Sequence, residues 1–475
     1  MSIDLSLDRI KLLLAHLPVY NRPTIHIAGT NGKGSVSALV SSILSAAGLN
    51  IGRFNSPHLV AVRDGISIRG APISEEEYAA ARAEVERVDK DCGAGVSSFE
   101  VLTATALLAF QRAQLDVVVL EVGLGGRLDA TNAIPDDCVL VSALTAVDLD
   151  HQAFLGNTVE AIAREKTSIA RSGRPFVVGP QKHASVIDVA QAVVADAGAD
   201  CILASPALAR DWDDAVDGPH ADPSTFSAPP PQPVSVSVSG FSSSVPAQLP
   251  LFGTHQLDNL GTATAIISTL LSHPSCVSRL ALRDTLSPAI VSQGIKSTRW
   301  PGRLSYHKLS ANKLPGLTAD MNILVDGAHN AASATTLSDY IERILAAHPE
   351  APIAFILALS HSPPKTPSET LSALFAFARM NSTKTRVSVA GTGFSSVEGM
   401  PWVKPVLPSD ITSTAREILP DVDVWTAPDG KPEHLGEALR WASQQAKDGL
   451  VVVAGSLYLV ADFYRLLGDD TTNPL

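Results

Sequence analysis

The sequence has few cysteines and no excess of positive charge. Its 475 residues include only four cysteines, which are scattered and form no CxxC pair: Cys92, Cys138, Cys201 and Cys276. This usage predicts free thiols in a reducing compartment. Lys and Arg number 36 against 48 Asp and Glu, which gives a formal net charge of −12. Because a nucleic-acid-binding surface needs clustered cations, we expect no nucleic-acid partner, although a few local cations would suffice for a small anionic substrate.

The sequence also lacks an apolar run long enough to span a membrane, so no membrane association is expected. The N-terminal stretch MSIDLSLDRIKLLLAHL contains acidic residues and no small-residue cleavage site. It predicts an amphipathic helix, with Ile10, Leu13, Leu14 and Leu17 on one face, rather than a signal peptide. We therefore expect a cytoplasmic protein, and the missing signals leave a mitochondrial pool open.

The sequence does contain a large apolar fraction with an α/β pattern. Apolar residues make up 45% of the chain and the mean hydropathy is +0.17, which supports a large buried core in two or three domains. Strand-like and helix-like segments alternate over the first 200 residues. The Val-rich runs 116–124 and 138–147 are typical of strands buried on both faces of a parallel sheet. The predicted fold class is therefore α/β, with a doubly wound first domain.

A second, smaller α/β unit is predicted to begin near residue 300. Its expected strands are 322–327, 353–359, 386–391 and 450–455, separated by helical stretches. We expect one domain over residues 1–296 and another over 297–475. Residues 211–250, rich in Pro and Ser, predict a long surface loop or insertion, in which VSVSVS either forms an edge strand or stays irregular.

The segment IHIAGTNGKGSVSALVSSILSAAG, residues 25–48, predicts a strand, a tight glycine turn and a helix. Backbone N–H groups in such a turn suit a polyphosphate, and Lys33 adds a positive charge. The turn is shorter than the usual phosphate loop, because Gly29 lies three residues before Gly32 and Gly34 separates Lys33 from Ser35. An ordinary strand–turn–helix with a surface lysine is the alternative, which the glycines beside the lysine disfavour.

Three predicted strands of the first unit end in polar residues. The first ends in the glycine loop, the second at Glu121, and the third before Asp148, Asp150 and His151. Since ligands bind beyond the carboxyl ends of parallel strands, we expect a nucleotide loop, a carboxylate and an imidazole at one rim. Glu121 is costly to bury unpaired, so it indicates either a Mg²⁺ site or an ion pair with Arg127. For His151, a helix-capping or core role stays open.

Four further residues are candidates mainly in combination with the others. Lys166, in AREKTSIA, has by itself the pattern of a solvated helix lysine. In the second unit, Asp326 and His329 follow a strand in VDGAHN, and Arg303 in WPGRL lies where the units join. An arginine and a carboxylate presented from a second domain would complete a nucleotide site on closure. An ion pair for Arg303 and a helix cap for Asp326 are the alternatives.

With these residues assembled, the chain resembles the folylpolyglutamate synthase/dihydrofolate synthase family, part of the Mur ligase superfamily. The resemblance covers nearly the whole length and rests on the ordered motifs GTNGKGS (29–35), SPHL (56–59), SFE (98–100), EVGLGGRLDATN (121–132), DHQAFLGNT (150–158), IAREK (162–166), GTHQLDN (253–259), PGR (301–303) and DGAHN (326–330). It implies a P-loop NTPase-like N-terminal domain and a Rossmann-like C-terminal domain. It further implies ATP- and Mg²⁺-dependent joining of L-glutamate to a carboxylate of a pterin-benzoate acceptor through an acyl phosphate, and we expect a monomer.

The resemblance also implies roles for individual residues. It places the ATP phosphates on Gly29, Thr30, Asn31, Gly32, Lys33, Gly34 and Ser35, with further ATP contacts from Asn259, Arg303 and Asp326. It makes Ser56, Glu121 and His151 the Mg²⁺ ligands. It matches Lys166 to the family's carbamylated lysine, which becomes an anionic metal-site ligand after reacting with CO₂. Lys33, Lys166 and His329 are the catalytic candidates.

Departures from the family pattern concern substrate recognition more than the ATP and metal sites. EKTSIA replaces EKAGI, ALSHSPPKTP (358–367) replaces a more acidic loop, and VAVRDGISIRG follows SPHL. Asn31, where eukaryotic folylpolyglutamate synthases commonly carry lysine, favours dihydropteroate as the acceptor. GRFNSPHL, which is similar to fungal dihydrofolate synthases, points the same way. A folylpolyglutamate synthase or a bifunctional enzyme that extends reduced folates is the alternative.

Two other classes of protein are disfavoured. Cell-wall Mur ligases usually carry GKT or GKS loops, unlike the GKG of this chain. A nucleotide-binding regulatory protein without catalysis would be expected to have lost the metal ligands, yet Ser56, Glu121 and His151 are all present.

Overall fold

The computed structural model describes residues 6–219, 229–280, 282, 284–317, 319–361, 366–380, 385–396, 403–428 and 434–468. The chain divides into two compact units. The first comprises Met1–Gly218, Gln232–Pro250 and Thr254–Thr298, and the second comprises Pro219–Pro231, Leu251–Gly253 and Arg299–Leu475. The last division along the chain lies between Thr298 and Arg299.

The first unit contains an eight-stranded sheet. Its strands in chain order are β1 (Thr24–Ala28), β2 (Ile51–Phe54), β3 (Ile66–Ile68), β4 (Ala71–Pro72), β5 (Val117–Glu121), β6 (Val139–Leu144), β7 (Pro175–Val178) and β8 (Asp200–Leu203). Their order in the sheet is β4-β3-β2-β5-β1-β6-β7-β8. From β2 to β8 all neighbours are parallel, whereas β3 is antiparallel to both β2 and β4.

The centre of this sheet is formed by the strands that the apolar runs predict. Every residue of β1, β5 and β6 is buried, as expected for parallel strands covered on both faces. In the sheet register Ile27 lies beside Glu121 on one side and Ala143 on the other. The ends of three central strands therefore meet at one edge, and the predicted α/β fold class is confirmed.

Helices surround this sheet. They are α1 (Asp8–Ala15), α2 (Lys33–Ala46), α3 (Glu75–Cys92), α4 (Ser98–Arg112), α5 (Gln152–Leu155), α6 (Val159–Thr167), α7 (Ala184–Asp196), α8 (Asp214–Asp217), α9 (His255–Ser272), α10 (Pro274–Val277) and α11 (Pro288–Lys296). α2 packs against α9 and α11. The contact with α11 is close, because a Cβ at Gly294 would lie 2.5 Å from the Cα of Ile43. Ser42 Oγ donates to the Gly294 carbonyl oxygen across the same contact at 2.6 Å.

Residues 211–250, for which the composition predicts a long surface loop or insertion, contain regular secondary structure in their described part. β9 (Leu208–Ala209), β10 (Gln232–Val236) and β11 (Val245–Leu249) form a separate antiparallel sheet in the order β11-β10-β9. The VSVSVS stretch (234–239) therefore contributes its first three residues to the central strand, rather than forming an edge strand. Its valines alternate onto one face and are buried, which explains why so polar a sequence forms a strand. Residues 220–228 of this segment lie outside the described residues.

The second unit contains a six-stranded sheet. Its strands are β12 (Ser305–Leu309), β13 (Met321–Val325), β14 (Ile353–Leu357), β15 (Val387–Gly391), β16 (Asp423–Thr426) and β17 (Leu450–Ala454). Their order is β12-β13-β17-β14-β15-β16, and only β12 runs antiparallel to its neighbour among these described strands. The four predicted strands correspond to β13, β14, β15 and β17, whereas the two edge strands do not stand out in the sequence.

Helices of the second unit follow its strands. They are α12 (Ala331–Ala347), α13 (Pro367–Leu374), α14 (Ala376–Met380), α15 (Pro408–Ile418), α16 (Leu435–Gln445) and α17 (Leu457–Leu467). The core between strands and helices includes the fully buried rings of Phe355 and Phe375, whose centroids lie 5.3 Å apart. Of the predicted recognition loop 358–367, residues 362–365 lie outside the described residues. Within the described chain, no helix is both long and apolar enough to cross a membrane.

Candidate active site

The candidate phosphate loop joins β1 to α2 and contains two glycines with positive φ. Gly29 has a φ of +150° and Gly32 a φ of +90°. A Cβ at Gly29 would lie 1.9 Å from Thr145 Oγ1, and a Cβ at Gly32 would lie 2.1 Å from Asn259 Oδ1. Both positions require glycine, because the backbone conformation and the neighbouring side chains leave no room for a Cβ.

The backbone of this loop is held by the segment that follows β6. The N–H groups of Thr30 and Asn31 both donate to the Ala146 carbonyl oxygen, at 2.9 and 3.1 Å. Thr145 Oγ1 donates to the Asn31 carbonyl oxygen at 2.7 Å, and Thr30 Oγ1 donates to that of Asp148 at 3.1 Å. The loop is thus fixed from one side by contacts within the protein.

The start of α2 offers backbone donors to a ligand. Gly32 is the N-cap residue and makes no side-chain capping bond. The N–H groups of Lys33, Gly34 and Ser35 lie in the first helical turn, whose donors have no acceptor within the helix. Because the helix dipole also favours negative charge at this end, these groups suit a phosphate.

The ammonium group of Lys33 lies over the loop. Its Nζ donates to the carbonyl oxygens of Gly29 at 3.1 Å and Thr30 at 3.3 Å. The same Nζ lies 3.8 Å from Glu121 Oε1, and the lysine side chain is only 15% exposed. A largely buried cation and a carboxylate therefore meet beside the glycine loop, as the strand-end pattern predicts.

Glu121 is the last residue of β5 and is 4% exposed. Asn55 Nδ2 donates to Glu121 Oε2 at 2.5 Å, opposite the side that faces Lys33. Arg127, the alternative partner, pairs with Glu165 instead, with its Nε 3.0 Å from Oε1. The specific pairing of Glu121 with Arg127 is therefore wrong, whereas the charge of the buried Arg53 guanidinium does act on Glu121. Asn55 itself does not stand out in the sequence, because nothing in its spacing marks it as a partner of Glu121.

The three predicted metal ligands lie in three different segments of the first unit. Ser56 directly follows Asn55, so the chain carries it close to the Glu121 carboxylate. His151 lies in an exposed turn with a φ of +50°, and its Nε2 is 3.8 Å from Asp150 Oδ2. It occupies the N-cap position of α5 without a side-chain capping bond. No group of three or more His, Cys, Asp or Glu side chains in the described residues is placed to hold a metal ion.

Lys166 is buried, unlike the solvated lysine that its local sequence suggests. It is 4% exposed, and its Nζ donates at 2.9 Å to the Gly29 carbonyl oxygen, which Lys33 also contacts. Burial, reinforced by the charge of Lys33, lowers the pKa of Lys166 to about 7. The signal in the sequence is its position on the buried face of α6, which consists of Ile162, Ala163, Lys166 and Thr167.

A buried polar chain links α9 to the first turn of α2. Asn259 Nδ2 donates to Gln256 Oε1 at 2.9 Å, and Gln256 Nε2 donates to Ser35 Oγ at 3.3 Å. These bonds orient the Asn259 amide so that its oxygen lies beside Gly32. Gln256 lies within the GTHQLDN motif, but only the folded structure identifies it as the residue that positions Asn259.

A second buried network supports the segment after β5. Thr131 Oγ1 donates to Asp129 Oδ1 at 2.5 Å, so the Nε2 of His26, 2.9 Å from that hydroxyl, is the donor to it. Asp129 also accepts from the Leu124 N–H at 2.8 Å. Burial, with a smaller effect of Arg171, lowers the pKa of His26 to about 3, so its imidazole is neutral. These buried hydrogen bonds hold the EVGLGGRLDATN segment in its conformation.

In the second unit, Asp326 lies at the carboxyl end of β13. Its carboxylate accepts from the N–H groups of Leu304 at 2.7 Å and Ala328 at 2.8 Å. Burial raises the pKa of Asp326, and the charge of Arg303 acts in the opposite direction. The side chain that caps α12 is Asn330, so the interpretation of Asp326 as a helix cap is wrong.

Arg303 and His329 lie near this carboxylate in the second unit. Arg303 Nη1 donates to the Gly302 carbonyl oxygen at 2.9 Å, and a Cβ at Gly327 would lie 2.8 Å from the same Nη1. His329 is exposed, and its Nδ1 donates to the Gly327 carbonyl oxygen at 2.8 Å, since that oxygen can only accept. The DGAHN and PGR motifs thus contribute a carboxylate, an imidazole and a guanidinium within this unit.

The chain is similar to proteins of one family over its whole length. A family model described as the dihydrofolate synthetase C-terminal domain matches residues 310–466. The dihydrofolate synthetase of Saccharomyces cerevisiae is 33% identical over 475 residues, covering 98% of each chain. The probable dihydrofolate synthetase of Schizosaccharomyces pombe is 32% identical over 473 residues, covering 98% of this chain and 99% of the relative.

Solved structures give the same result. Mycobacterium tuberculosis folylpolyglutamate synthase complexed with ADP has a TM-score of 0.73 at 27% identity, covering 100% of this chain and 96% of its own. Escherichia coli FolC in complex with DHPP and ADP has a TM-score of 0.71 at 27% identity, with 98% and 94% covered. A bifunctional folylpolyglutamate synthase/dihydrofolate synthase with Mn, AMPPNP and L-glutamate bound has a TM-score of 0.69 at 25% identity, with 98% and 95% covered. The chain therefore belongs to the folylpolyglutamate synthase/dihydrofolate synthase family of ligases.

Proposed function

We propose that this ligase joins L-glutamate to 7,8-dihydropteroate in an ATP-dependent reaction that gives dihydrofolate, ADP and phosphate. The observation that carries the proposal is the similarity, over 98% of both chains, to a yeast dihydrofolate synthetase. Folylpolyglutamate synthase activity is the second candidate, because a folylpolyglutamate synthase structure also covers the whole chain. A regulatory protein without catalysis is disfavoured, because Lys33, Glu121 and Lys166 meet beside the glycine loop.

ATP is proposed to bind with its phosphates against residues 29–35. The N–H groups at the start of α2 would contact phosphate oxygens, and Lys33 would exchange two carbonyl contacts for charge-assisted bonds to phosphate. Asn259, whose amide oxygen lies beside Gly32, would contact the nucleotide from α9. Arg303 and Asp326 of the second unit are proposed as further ATP contacts on the family resemblance.

Mg²⁺ is proposed to bind at Glu121, with Ser56 and His151 as further ligands. The donor chemistry fits this ion, because a buried carboxylate at a phosphate loop is the type of ligand that Mg²⁺ uses. The lack of a dense acidic cluster in the described residues is compatible with it, since Mg²⁺ keeps several waters and takes ligands from substrate phosphates. When bound, the ion would offset negative charge on the transferred phosphoryl group.

Carbamylation of Lys166 is proposed as well, since it gives a buried amine a function. The neutral amine would add to the carbon of CO₂, forming an N–C bond and releasing a proton, to leave a carbamate anion near the loop. Burial favours the neutral form that this addition needs. Activity should fall when CO₂ is removed and return with bicarbonate; activity that is indifferent to both would contradict the proposal.

The proposed reaction has two steps. A carboxylate oxygen of the acceptor attacks the γ-phosphorus of ATP, the bond to the bridging oxygen breaks, and ADP leaves. The amine of glutamate then attacks the acyl phosphate carbon, and phosphate leaves. His329 is proposed to take the proton that the amine loses, because the proton on its Nδ1 is directed to Gly327 and its basic lone pair is therefore on Nε2.

The first experiment compares acceptors. Purified enzyme, ATP, Mg²⁺ and glutamate are incubated with dihydropteroate or with tetrahydrofolate, and products are identified by mass. Glutamate added to dihydropteroate alone supports a dedicated dihydrofolate synthase, whereas extension of tetrahydrofolate supports the second candidate. If neither acceptor gains glutamate, the proposed function is wrong. We also propose a monomer, which light scattering on the same sample would check.

Site variants test the roles of Lys33 and Glu121. Lys33→Ala should lower kcat by about 100-fold or more, as loss of a charge-stabilising group does. Lys182→Ala is the matched control, because that lysine is 76% exposed and should not affect turnover. Glu121→Gln should raise the Mg²⁺ concentration needed for half-maximal activity, and an unchanged Mg²⁺ dependence would argue against the metal role.

A further inference from the structure

Arg171 is a buried arginine that the proposed reaction does not use. Its side chain is 8% exposed and lies in the segment after α6. Its Nη2 donates to the Asn132 side-chain oxygen at 2.7 Å and to the Asn132 carbonyl oxygen at 3.2 Å. Its Nη1 donates to the Ile169 carbonyl oxygen at 3.1 Å, and its Nε lies 2.6 Å from Asp136 Oδ1. Both terminal guanidinium nitrogens therefore donate hydrogen bonds, and Nε forms an ion pair with Asp136.

These contacts join two segments that lie beside the candidate active site. One segment ends the EVGLGGRLDATN motif at Asn132, and the other continues from α6, which carries Lys166. The segments also touch on the loop side, because a Cβ at Gly126 would lie 2.8 Å from the carbonyl oxygens of both Glu165 and Lys166. Lys166 in turn contacts the Gly29 carbonyl oxygen. Arg171 thus fixes the spacing between the motif and the helix that carries Lys166.

The chemistry of this position suits arginine and not lysine. Burying a cation is costly, and a planar guanidinium can offset that cost by donating in several fixed directions at once. An ammonium group at the end of a lysine has its donors on a single atom, so it cannot reach Asn132, Ile169 and Asp136 together. Arg171→Lys therefore keeps the positive charge but removes the fixed arrangement of several donors.

We propose that Arg171 is a positioning residue, which sets the placement of Lys166 relative to the DATN turn and thereby the rate of the proposed ligation. It does not contact substrate in this role. The inference rests on the proposed function, since its measure is the ligase rate. Its physical basis is that small displacements of groups at a reacting centre are costly to the rate, even when substrate binding is preserved.

The test measures the ligase activity of wild type, Arg171→Lys and Arg174→Lys under the same conditions. Arg174 lies three residues further along, and its Nη2 donates to the Asp137 carbonyl oxygen at 3.4 Å, on the exposed side. We expect Arg171→Lys to lower kcat by about 10- to 100-fold with the KM for ATP within about twofold of wild type. Arg174→Lys should match wild type.

The other outcomes separate the proposal from its competitors. If Arg171→Lys only lowers the melting temperature, and kcat per folded enzyme is unchanged well below it, Arg171 is merely structural and the proposal is overturned. If Arg171→Lys does not fold, Asn132→Ala removes the partner side chain instead, and wild-type kcat in that folded variant also overturns it. Absence of ligation in the wild-type protein would instead refute the proposed function, independently of Arg171.

Discussion

Replacing His26 by glutamine should flatten the pH dependence of stability in the first unit. The imidazole of His26 is fully buried in β1, donates to Thr131, and has a pKa lowered by burial to about 3. In the unfolded chain the same group has its ordinary value of 6.5. Below that pH the unfolded state gains a proton that the folded state does not bind, so acid favours unfolding.

The size of the effect follows from the two pKa values. The stabilisation contributed by neutral, buried His26 is complete above about pH 6.5, decreases as the pH falls, and stops changing near pH 3. At 1.36 kcal/mol per pKa unit, the unfolding free energy should be about 2 kcal/mol lower at pH 5 than at pH 7.5. Glutamine at this position can still donate to Thr131 but does not titrate, so His26→Gln should lose this part of the pH dependence.

The assay must report on the first unit alone, because the second unit contains its own buried histidine, His307, whose pKa burial lowers to about 4. Urea-dependent hydrogen exchange of the β1 and β5 amides, corrected for intrinsic exchange at each pH, meets this need. His16→Gln serves as the control, since His16 is exposed at the end of α1. If wild type and His26→Gln show the same pH dependence, the linkage argument for His26 is refuted.

Three further changes test the packing of the site. Gly32→Ala should raise the KM for ATP at least about tenfold, because its Cβ would lie 2.1 Å from Asn259 Oδ1 and φ is +90°; a wild-type KM would show that the loop adapts. Gly294→Ala should lower the unfolding free energy, measured by urea titration, by about 1–3 kcal/mol, because its Cβ would lie 2.5 Å from the Cα of Ile43. Gly436→Ala is the control: the atom nearest to its Cβ would lie 3.6 Å away, so the change should be neutral or stabilise the protein by up to about 1 kcal/mol. Lys166→Met should abolish ligation but raise the melting temperature in CO₂-free buffer, because it removes a buried amine; a lower melting temperature would contradict that account.

Most of the fold is predictable because its central strands are buried on both faces. The Val-rich runs of β5, β6 and β17 can be recognised without any partner information. β12 and β16 are not recognisable in the same way, because both sequences, SYHKL and DVWT, carry polar residues, and β16 is also covered less completely. For β10 the sequence leaves an edge strand and an irregular segment open, since its serine-rich composition obscures the buried valines.

The candidate site could be predicted only as far as local patterns extend. Lys33 and Glu121 follow from the rule that ligands gather at the carboxyl ends of parallel strands, and the structure brings them within 3.8 Å of each other. Lys166 can be recognised from the residues alone only by its position on the buried face of α6. Asn55 and Gln256 could not be found, because each acts through a partner far away in the sequence, Glu121 and Ser35 respectively.

The charges beside the glycine loop connect two proposals, namely that ATP binds at this loop and that Lys166 is carbamylated. Lys33 and Lys166 both donate to the Gly29 carbonyl oxygen, so two amines lie together in a largely buried site. The charge of Lys33 favours the neutral form of Lys166, whereas the charges of Asp150 and Asp129 oppose it, and the two amines suit a polyphosphate. A carbamate on Lys166 would reverse the balance, because its negative charge would repel ATP unless a divalent cation lay between them. If both proposals hold, the stimulation of ligation by bicarbonate should therefore depend on Mg²⁺ and disappear when Mg²⁺ is limiting.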